Sequence, residues 1–333
     1  TEQQPYGHWL AYGQSTPHDV TIISRALELV PVPYASKVKV LWCHDLAMKR
    51  SRNGFGQGLW NLDACYVLSA YQLQQYVQVH AGIPPEFFVQ TRNGVDLADF
   101  VPLRGLPRDP RKLVYGSRPE RGLETCLQVM AELANRGSDL QLYVAGYDNP
   151  VPHLAGYVQM LMQRIEAMPN VHILGPLTQG AWHREIATAR AMLYPGPPNH
   201  SGFAVFREIA HIAAIECMAA GTPVVSCNKG ATPETLGATT PDCAAILLGD
   251  ESTDCQSPAH ITACADALMG LAEPRSMAWQ TLHAAGLRRA DGYDWTTTVA
   301  AQWEADWLSR LQARCANPVR LTAHLKRTGE LEA

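Results

Sequence analysis

The chain has 333 residues, 47% of them hydrophobic, so it is long enough to bury one or two substantial cores, and two lobes are expected. A formal net charge of -4 argues against a nucleic-acid-binding protein. Nine cysteines without a Cys-x2-Cys pair or a regular spacing favour reduced thiols in a cytoplasmic protein over a disulfide framework or a zinc site. No apolar run approaches ~20 residues, so membrane contact is expected to be peripheral at most.

The first part of the chain alternates short apolar runs with segments of helical periodicity, a pattern typical of parallel βα units. It predicts a helix over residues 70–81 and strands over residues 20–24, 38–43, 64–69 and 87–90. The N-terminal, acceptor-side lobe is placed at residues 1–101, with room for only about three βα units of ~30 residues each. Three prolines and a glycine then predict an interdomain linker over residues 102–111.

The second part is more regular and predicts a doubly wound lobe over residues 112–294. Leu123, Leu127 and Met130 have the spacing of a helix that ends near Gly137. Such lobes bind ligands beyond the carboxyl ends of their strands, so a site is expected there. The predicted strands cover residues 113–115, 140–145, 171–174, 191–194, 224–226 and 245–248.

Residues 295–333 are predicted to form C-terminal helices that pack back on the N-terminal lobe. Trp303, Trp307 and Leu311 recur at every fourth position, which places them on one helix face. An amphipathic membrane helix is the alternative. Glu304 and Asp306 on the polar face suit an anionic lipid surface poorly, which favours packing on the protein.

Two glutamates form the most informative motif. Glu208 and Glu216 lie eight residues apart in an Ala- and Ile-rich run that predicts a helix. At ~1.5 Å per residue, eight positions span roughly 12 Å of helix axis, which is the size of a nucleotide-linked sugar. Glu208 near the helix N-terminus would accept hydrogen bonds from sugar hydroxyls, and Glu216 from a ribose. Two solvated helix residues are the alternative.

The loop after Tyr115 is a candidate phosphate-binding element. It contains Arg118 and Arg121 and opens a predicted helix. Backbone N–H groups at a helix N-terminus favour anions, and the two guanidinium groups add positive charge and bidentate donors. An ordinary solvated loop is the alternative.

In the first lobe, His44 and Asp45 end a predicted strand, and Lys49 and Arg52 follow. His44 is a candidate functional residue, although a lone histidine after a strand often has a structural role. The basic cluster would suit an anionic acceptor, but runs of charge are usually solvated.

Four segments occur in order, each at a predicted strand-to-helix junction: residues 93–96, 115–123, 208–225 and 230–236. Together they resemble the retaining, GT-B-fold glycosyltransferases of glycosyltransferase family 4 (glycosyl transferases group 1), over most of residues 17–310. The resemblance implies an α/β GT-B fold with two Rossmann-like doubly wound lobes. One departure is that the N-terminal lobe is shortened and lacks the family's opening strands and Gly-rich loop. The chain begins without Met, so a fragment of a larger glycosyltransferase is an alternative.

The resemblance also implies residue roles. Arg118 and Arg121 would hold the donor diphosphate, Glu208 the sugar hydroxyls and Glu216 the ribose. His44 would lie near the reacting carbon and the acceptor, and with Glu208, Arg118 and Arg121 it completes the implied catalytic set. The implied donor-binding residues are Gly116, Arg118, Arg121, Gly146, Tyr147, His172, Gly175, Leu177, Glu208, Ala210, His211, Ile212 and Glu216.

The predicted activity is transfer of a hexose from a UDP- or GDP-sugar to a hydroxyl of a saccharide, a lipid-linked acceptor or a protein. Retention of configuration is implied by the resemblance alone. No Asp-x-Asp pair occurs, so neither a metal nor a cofactor is expected, and arginines with a helix N-terminus would meet the leaving-group charge.

The main alternative is a catalytically silent sugar-nucleotide-binding module. An epimerase would need acid/base carboxylates that the sequence does not place, and a phosphorylase would need a lysine for pyridoxal phosphate and a longer chain. A dehydrogenase is disfavoured because arginine and proline follow Tyr115 where glycines would be required.

Overall fold

The computed structural model describes residues 6–47, 58–146, 152–198, 206–271 and 276–316. The chain divides into two compact units, one formed by residues 1–92 with 299–333 and the other by residues 93–298. Residues 102–111, which the sequence predicts as a linker, lie within the second unit. None of the helices in the described ranges has both the length and the apolar composition needed to cross a bilayer.

The first unit contains a four-stranded parallel sheet. Its strands and α-helices among the described residues up to Arg92 are α1 (Tyr6–Ser15), β1 (His18–Ser24), β2 (Ser36–Trp42), β3 (Ala64–Val67), α2 (Ala70–Val79) and β4 (Phe88–Gln90). The spatial order of the strands is β1-β2-β3-β4. Neighbouring residues of β3 are buried on both faces, which is why this strand forms a continuous apolar run in the sequence.

The second unit contains a six-stranded parallel sheet. Its strands are β5 (Lys112–Tyr115), β6 (Gln141–Gly146), β7 (Val171–Pro176), β8 (Ala191–Tyr194), β9 (Val224–Cys227) and β10 (Ala245–Leu248). Their spatial order is β10-β9-β8-β5-β6-β7. The chain thus extends the sheet from β5 in one direction and, from β8 onward, in the other. This reversal makes the sheet doubly wound and creates a crevice where β5 and β8 end.

Seven α-helices in the described part of this unit complete it. They are α3 (Leu123–Asn135), α4 (Ala155–Glu166), α5 (Gln179–Ala187), α6 (Ile212–Ala220), α7 (Thr232–Leu236), α8 (Pro258–Gly270) and α9 (Met277–Ala290). In α3, Leu123, Leu127 and Met130 are buried, as their spacing predicts. Gly137, with a φ of +74°, ends this helix in a left-handed conformation.

Helix α6 begins later than the sequence predicts. It starts at Ile212, so Glu216 lies on the helix, whereas Glu208 lies in the non-helical segment before it. The backbone carbonyl of Glu208 accepts a hydrogen bond from the N–H of Ala231 (2.7 Å), in the loop after β9. This contact holds the segment against that loop, so the spacing of the two glutamates is not a helix rise of eight residues.

The last helix of the described residues, α10 (Ala300–Ala316), belongs to the first unit. Trp303 is buried with Val40 and Tyr66 of the four-stranded sheet, and Trp307 and Leu311 pack against the same cluster. The apolar face of this helix is therefore covered by the sheet.

Arg108 caps the C-terminal end of α6. Its guanidinium donates hydrogen bonds to the carbonyl oxygens of Ala189 (2.8 Å), Ala220 (2.6 Å) and Gly221 (3.2 Å) and to Oγ1 of Thr222 (2.7 Å). Burial lowers its pKa to about 10, so the group stays charged at neutral pH. Arg108→Ala would remove the donor to the carbonyl oxygens of Ala189 and Ala220, and we expect the free energy of unfolding, measured by urea denaturation, to fall by about 2–3 kcal/mol.

Arg111→Ala is the matched control because the Arg111 side chain is 59% exposed. We expect it to change the free energy of unfolding by less than about 0.5 kcal/mol. Equal losses in the two variants would contradict the capping role of Arg108.

Candidate functional site

A cavity of about 480 Å³ opens where the doubly wound sheet reverses direction. It lies beyond the carboxyl ends of β5, β6 and β7, beside the N-terminus of α6 and within the second unit. Doubly wound sheets bind ligands in this position. Among the described residues it is lined by Gly116, Ser117, Arg121, Ala145, Gly146, Pro176, Leu177, Gln179, Trp182, Glu208, Ala210, His211, Ile212, Ala213 and Glu216.

Glu208 contributes a carboxylate that is contacted by the side chains of Tyr194 and Arg121. Its Oε1 accepts a hydrogen bond from the hydroxyl of Tyr194 (2.6 Å) and lies 4.0 Å from Nη1 of Arg121. Gly230, in the loop after β9, has a φ of +61° and lies against the backbone of Glu208. A Cβ at Gly230 would lie 2.6 Å from the carbonyl oxygen of Glu208, so this close approach requires glycine. With its side chain only 11% exposed, the carboxylate has a well-defined position at the cavity.

Arg121 places a positive charge beside Glu208. Its guanidinium lies over the ring of Phe206, 4.6 Å from the ring centroid. The 3₁₀ turn Pro119–Arg121 ends at this residue, and Gly122, with a φ of +141°, then starts α3. The loop after β5 thus brings one cation to the cavity.

Arg118, the other arginine of this loop, is placed differently. It is extended and precedes the turn, and its side chain does not line the cavity. Its Nη1 lies 3.9 Å from Oε1 of Glu120, and its carbonyl oxygen accepts a hydrogen bond from the hydroxyl of Tyr115 (2.7 Å). The sequence predicts the same phosphate-binding role for both arginines, but in the structure Arg121 lines the cavity and Arg118 does not.

Glu216 is oriented by Trp182 of the neighbouring helix α5, and His183 of the same helix lies close to it. Nε1 of Trp182 donates a hydrogen bond to its Oε2 (2.8 Å), and Nε2 of His183 lies 3.6 Å from its Oε1. His183 is buried against the ring of Phe100, at a centroid distance of 4.2 Å. The Trp182 ring also covers Gly116, where a Cβ would approach it to 2.3 Å.

The N-terminus of α6 forms another wall of the cavity, through Ala210, His211, Ile212 and Ala213. The N–H groups of a first helical turn have no intrahelical partner, and with the helix dipole they favour an anion. His211 is the N-cap residue and is 2% exposed. Burial lowers the pKa of His211, Glu208 opposes this effect, and Arg121 lowers the pKa further.

Other predicted residues lie away from the cavity. His172 and Gly175 are on β7 but do not line it, and Nε2 of His172 lies 2.8 Å from Oε1 of Gln141. Gly175, with a φ of +73°, belongs to an irregularity in the pairing of β6 with β7. Tyr147, and the basic cluster from Lys49 onward, lie outside the described residues.

His44 belongs to the first unit and follows β2. Its ring packs edge-on against Trp42, at a centroid distance of 4.2 Å. Burial lowers the pKa of His44, as does Arg25, and Asp45 opposes them. Asp45 forms an ion pair with Arg25 (2.8 Å), and no described residue hydrogen-bonds Nε2 of His44. A functional role for His44 stays a prediction.

Some lining residues were not predicted from the sequence. Most of them are next to predicted residues in the chain, so extending each motif by one position would have found them. Trp182 has no such signal, because its position against Glu216 depends on how α5 packs on α6. The unpredicted residues are Ser117, Ala145, Pro176, Gln179, Trp182 and Ala213.

Comparison with known families identifies the domain that holds this cavity. Residues 110–257 match the family model described as "Glycosyl transferases group 1". These residues, about 44% of the chain, are similar to the group 1 glycosyltransferases. The matched range includes the loop with Arg121 and both glutamates, Glu208 and Glu216, and the predicted family resemblance is confirmed. No curated protein sequence matches the chain.

Solved structures with a similar backbone establish the fold of this chain. Sucrose-phosphate synthase from Thermosynechococcus elongatus is similar with a TM-score of 0.68 at 19% identity, over 92% of this chain and 77% of that one. The pneumococcal O-GlcNAc transferase GtfA, solved with UDP and GlcNAc, has a TM-score of 0.66 at 12% identity, over 91% and 60%. TarM of S. aureus has a TM-score of 0.63 at 13% identity, over 91% and 57%.

These identities are low, so the likeness concerns the fold alone, and the predicted GT-B fold is confirmed. The chain spans 57% of the length of TarM and 60% of the length of GtfA.

Proposed function

We propose that this chain is a glycosyltransferase that moves a hexose from a UDP- or GDP-sugar to a hydroxyl acceptor, with retention of anomeric configuration and without a metal ion. One observation carries the proposal: Arg121, the N-terminus of α6, Glu208 and Glu216 share one cavity. A cation beside a helix N-terminus suits a diphosphate, and carboxylates suit sugar hydroxyls. The volume of about 480 Å³ is in the range of small-molecule sites.

The charge of the departing nucleoside diphosphate would be met by the protein. Negative charge develops on the leaving diphosphate as the bond to the sugar breaks. Arg121 and the first-turn N–H groups of α6 are fixed donors for that charge, in the role a metal ion has in other transferases. On this proposal the transfer rate is unchanged by EDTA.

The carboxylates would bind the two sugars of the donor. Oε1 of Glu208 is held by Tyr194, which leaves Oε2, unpaired among the described residues, to accept hydrogen bonds from the transferred sugar. Glu216, oriented by Trp182, would accept from the ribose. We keep His44 in the acceptor-side role, with a saccharide, a lipid-linked glycan or a protein hydroxyl as the acceptor. The similar fold of GtfA, solved with UDP and GlcNAc, supports a nucleotide sugar as donor.

A two-step experiment tests the proposal. A thermal-shift screen with UDP, GDP, ADP and their sugars identifies the donor, since a ligand at ~100 times its Kd stabilises by about 2.7 kcal/mol. Incubation with that donor must then release free nucleoside diphosphate together with free sugar or a glycosylated product. Binding without turnover would identify the silent sugar-nucleotide-binding module. A lack of any shift at saturating nucleotide would contradict the proposal.

Gly116→Ala is expected to weaken donor binding. A Cβ at this position would lie 2.3 Å from the Trp182 ring, so the ring must move and take Nε1 away from Glu216. We expect the Kd of the donor nucleotide, measured by titration calorimetry, to rise about tenfold, or ~1.4 kcal/mol. Gly156→Ala is the control, because nothing lies within 4 Å of a Cβ there. An unchanged Kd in Gly116→Ala would contradict the positioning of Glu216 through Trp182.

A further inference from the structure

His211 is a buried polar side chain that the proposed mechanism does not use. It lines the cavity and is 2% exposed, and within the described residues neither Nδ1 nor Nε2 has a hydrogen-bond partner. Leaving a buried polar group unpaired costs about 1–3 kcal/mol, and such groups are uncommon. A ligand in the cavity would supply the missing partner.

The charged and titratable groups around His211 come from several elements. The ring centroid of Tyr194, on β8, lies 4.2 Å from that of the imidazole, and the Tyr194 hydroxyl donates its hydrogen bond to Glu208. Glu208 is negative and Arg121, from the loop after β5, is positive. Helix α6 contributes the partial positive charge of its N-terminus and, one turn further on, Glu216. Burial, the largest effect, and the charge of Arg121 lower the pKa of His211, and Glu208 opposes them.

We propose that His211 is a proton-accepting ligand of the donor diphosphate: a ring nitrogen donates a hydrogen bond to a phosphate oxygen, and the ring takes up a proton from solvent as the donor binds. This inference rests on the proposed function, because it requires a diphosphate in the cavity. A sugar nucleotide brings negative charge to the N-terminus of α6, and that charge favours the imidazolium. Both ring nitrogens of the imidazolium are donors, so each can satisfy an acceptor.

The proposal gives a definite pH dependence. In the free protein the pKa of His211 lies below its ordinary value of 6.5, and in the complex the diphosphate raises it. Between these two pKa values binding takes up a proton, so the Kd of the donor increases with pH, by up to about tenfold per unit. Below the lower and above the upper value, His211 adds no pH dependence.

The test is titration calorimetry near pH 7 with UDP-glucose and, separately, GDP-mannose, in two buffers of different ionisation enthalpy. Neither sugar nucleotide titrates near neutral pH, so any proton uptake belongs to the protein. We expect the wild type to take up protons as the donor binds, up to about one per donor. His211→Asn keeps an N–H donor but cannot become charged, so its uptake should be near zero and its Kd independent of pH. His153→Asn, at an exposed position, should leave the uptake unchanged.

The outcomes separate the two proposals. Failure of both sugar nucleotides to bind at millimolar concentration would contradict the proposed function. Binding without proton uptake by the wild type, or with the same uptake by His211→Asn, would overturn the role of His211 and leave the proposed function standing. His211→Gln provides a second uncharged variant, and circular dichroism identifies any variant that fails to fold.

Discussion

Glu208→Gln is expected to lower kcat/KM for the donor by at least about 10²-fold. The proposed role of Glu208 is to accept hydrogen bonds from two hydroxyls of the transferred sugar, and bonds to a charged group contribute about 1.5 kcal/mol or more each. Their combined loss, about 3 kcal/mol, corresponds to this factor. The amide oxygen of glutamine can still accept the hydrogen bond from Tyr194, so the fold should persist. Steady-state kinetics with the donor found by the thermal-shift screen provide the measurement.

The control for this variant is Glu166→Gln, which removes an exposed carboxylate from α4 of the same unit. We expect its kcat/KM to equal that of the wild type. A Glu208→Gln enzyme that binds donor normally and turns over at the wild-type rate would exclude Glu208 from the reaction.

Arg121→Ala is expected to raise the Kd of the nucleoside diphosphate about 10- to 100-fold, or about 1.4–2.8 kcal/mol. Arg121 is the cation that the structure places at the cavity, beside Glu208 and over the ring of Phe206. A diphosphate would lose a charge-assisted hydrogen bond, whereas the unphosphorylated nucleoside would lose nothing. Calorimetric titrations with both ligands measure the difference, and Arg121→Lys should be intermediate because lysine keeps the charge without the planar fork.

Arg118→Ala is the matched comparison, since it removes the other arginine of the same loop. Its side chain does not line the cavity, so we expect less than about a threefold change in Kd, within roughly 0.7 kcal/mol. A larger effect from Arg118→Ala than from Arg121→Ala would assign the diphosphate to Arg118, as the sequence resemblance allows.

The strands could be predicted from the sequence for a physical reason. A parallel strand covered on both faces must be apolar at successive positions, so β8 (Ala191–Tyr194) stands out as a short apolar run. All ten predicted strands occur in the described residues, with ends within two residues of the prediction. The alternation of strands with helical segments likewise predicted the doubly wound second sheet.

The start of α6 could not be predicted from the sequence in the same way. The Ala- and Ile-rich run from Glu208 favours a helix locally, but the N–H of Ala231 binds the carbonyl oxygen of Glu208 and keeps this residue outside the helix. The position of Trp182 against Glu216 was also not predicted, because it depends on packing between elements distant in the chain, which local periodicity does not encode.

The most direct measurement of the central claim is a crystal structure of this chain with the nucleoside diphosphate that the thermal-shift screen selects. We expect the two phosphates to lie between the guanidinium of Arg121 and the first-turn N–H groups of α6, and the ribose hydroxyls to bind the carboxylate of Glu216. A nucleotide bound at another place, with this cavity left empty, would contradict the proposed site.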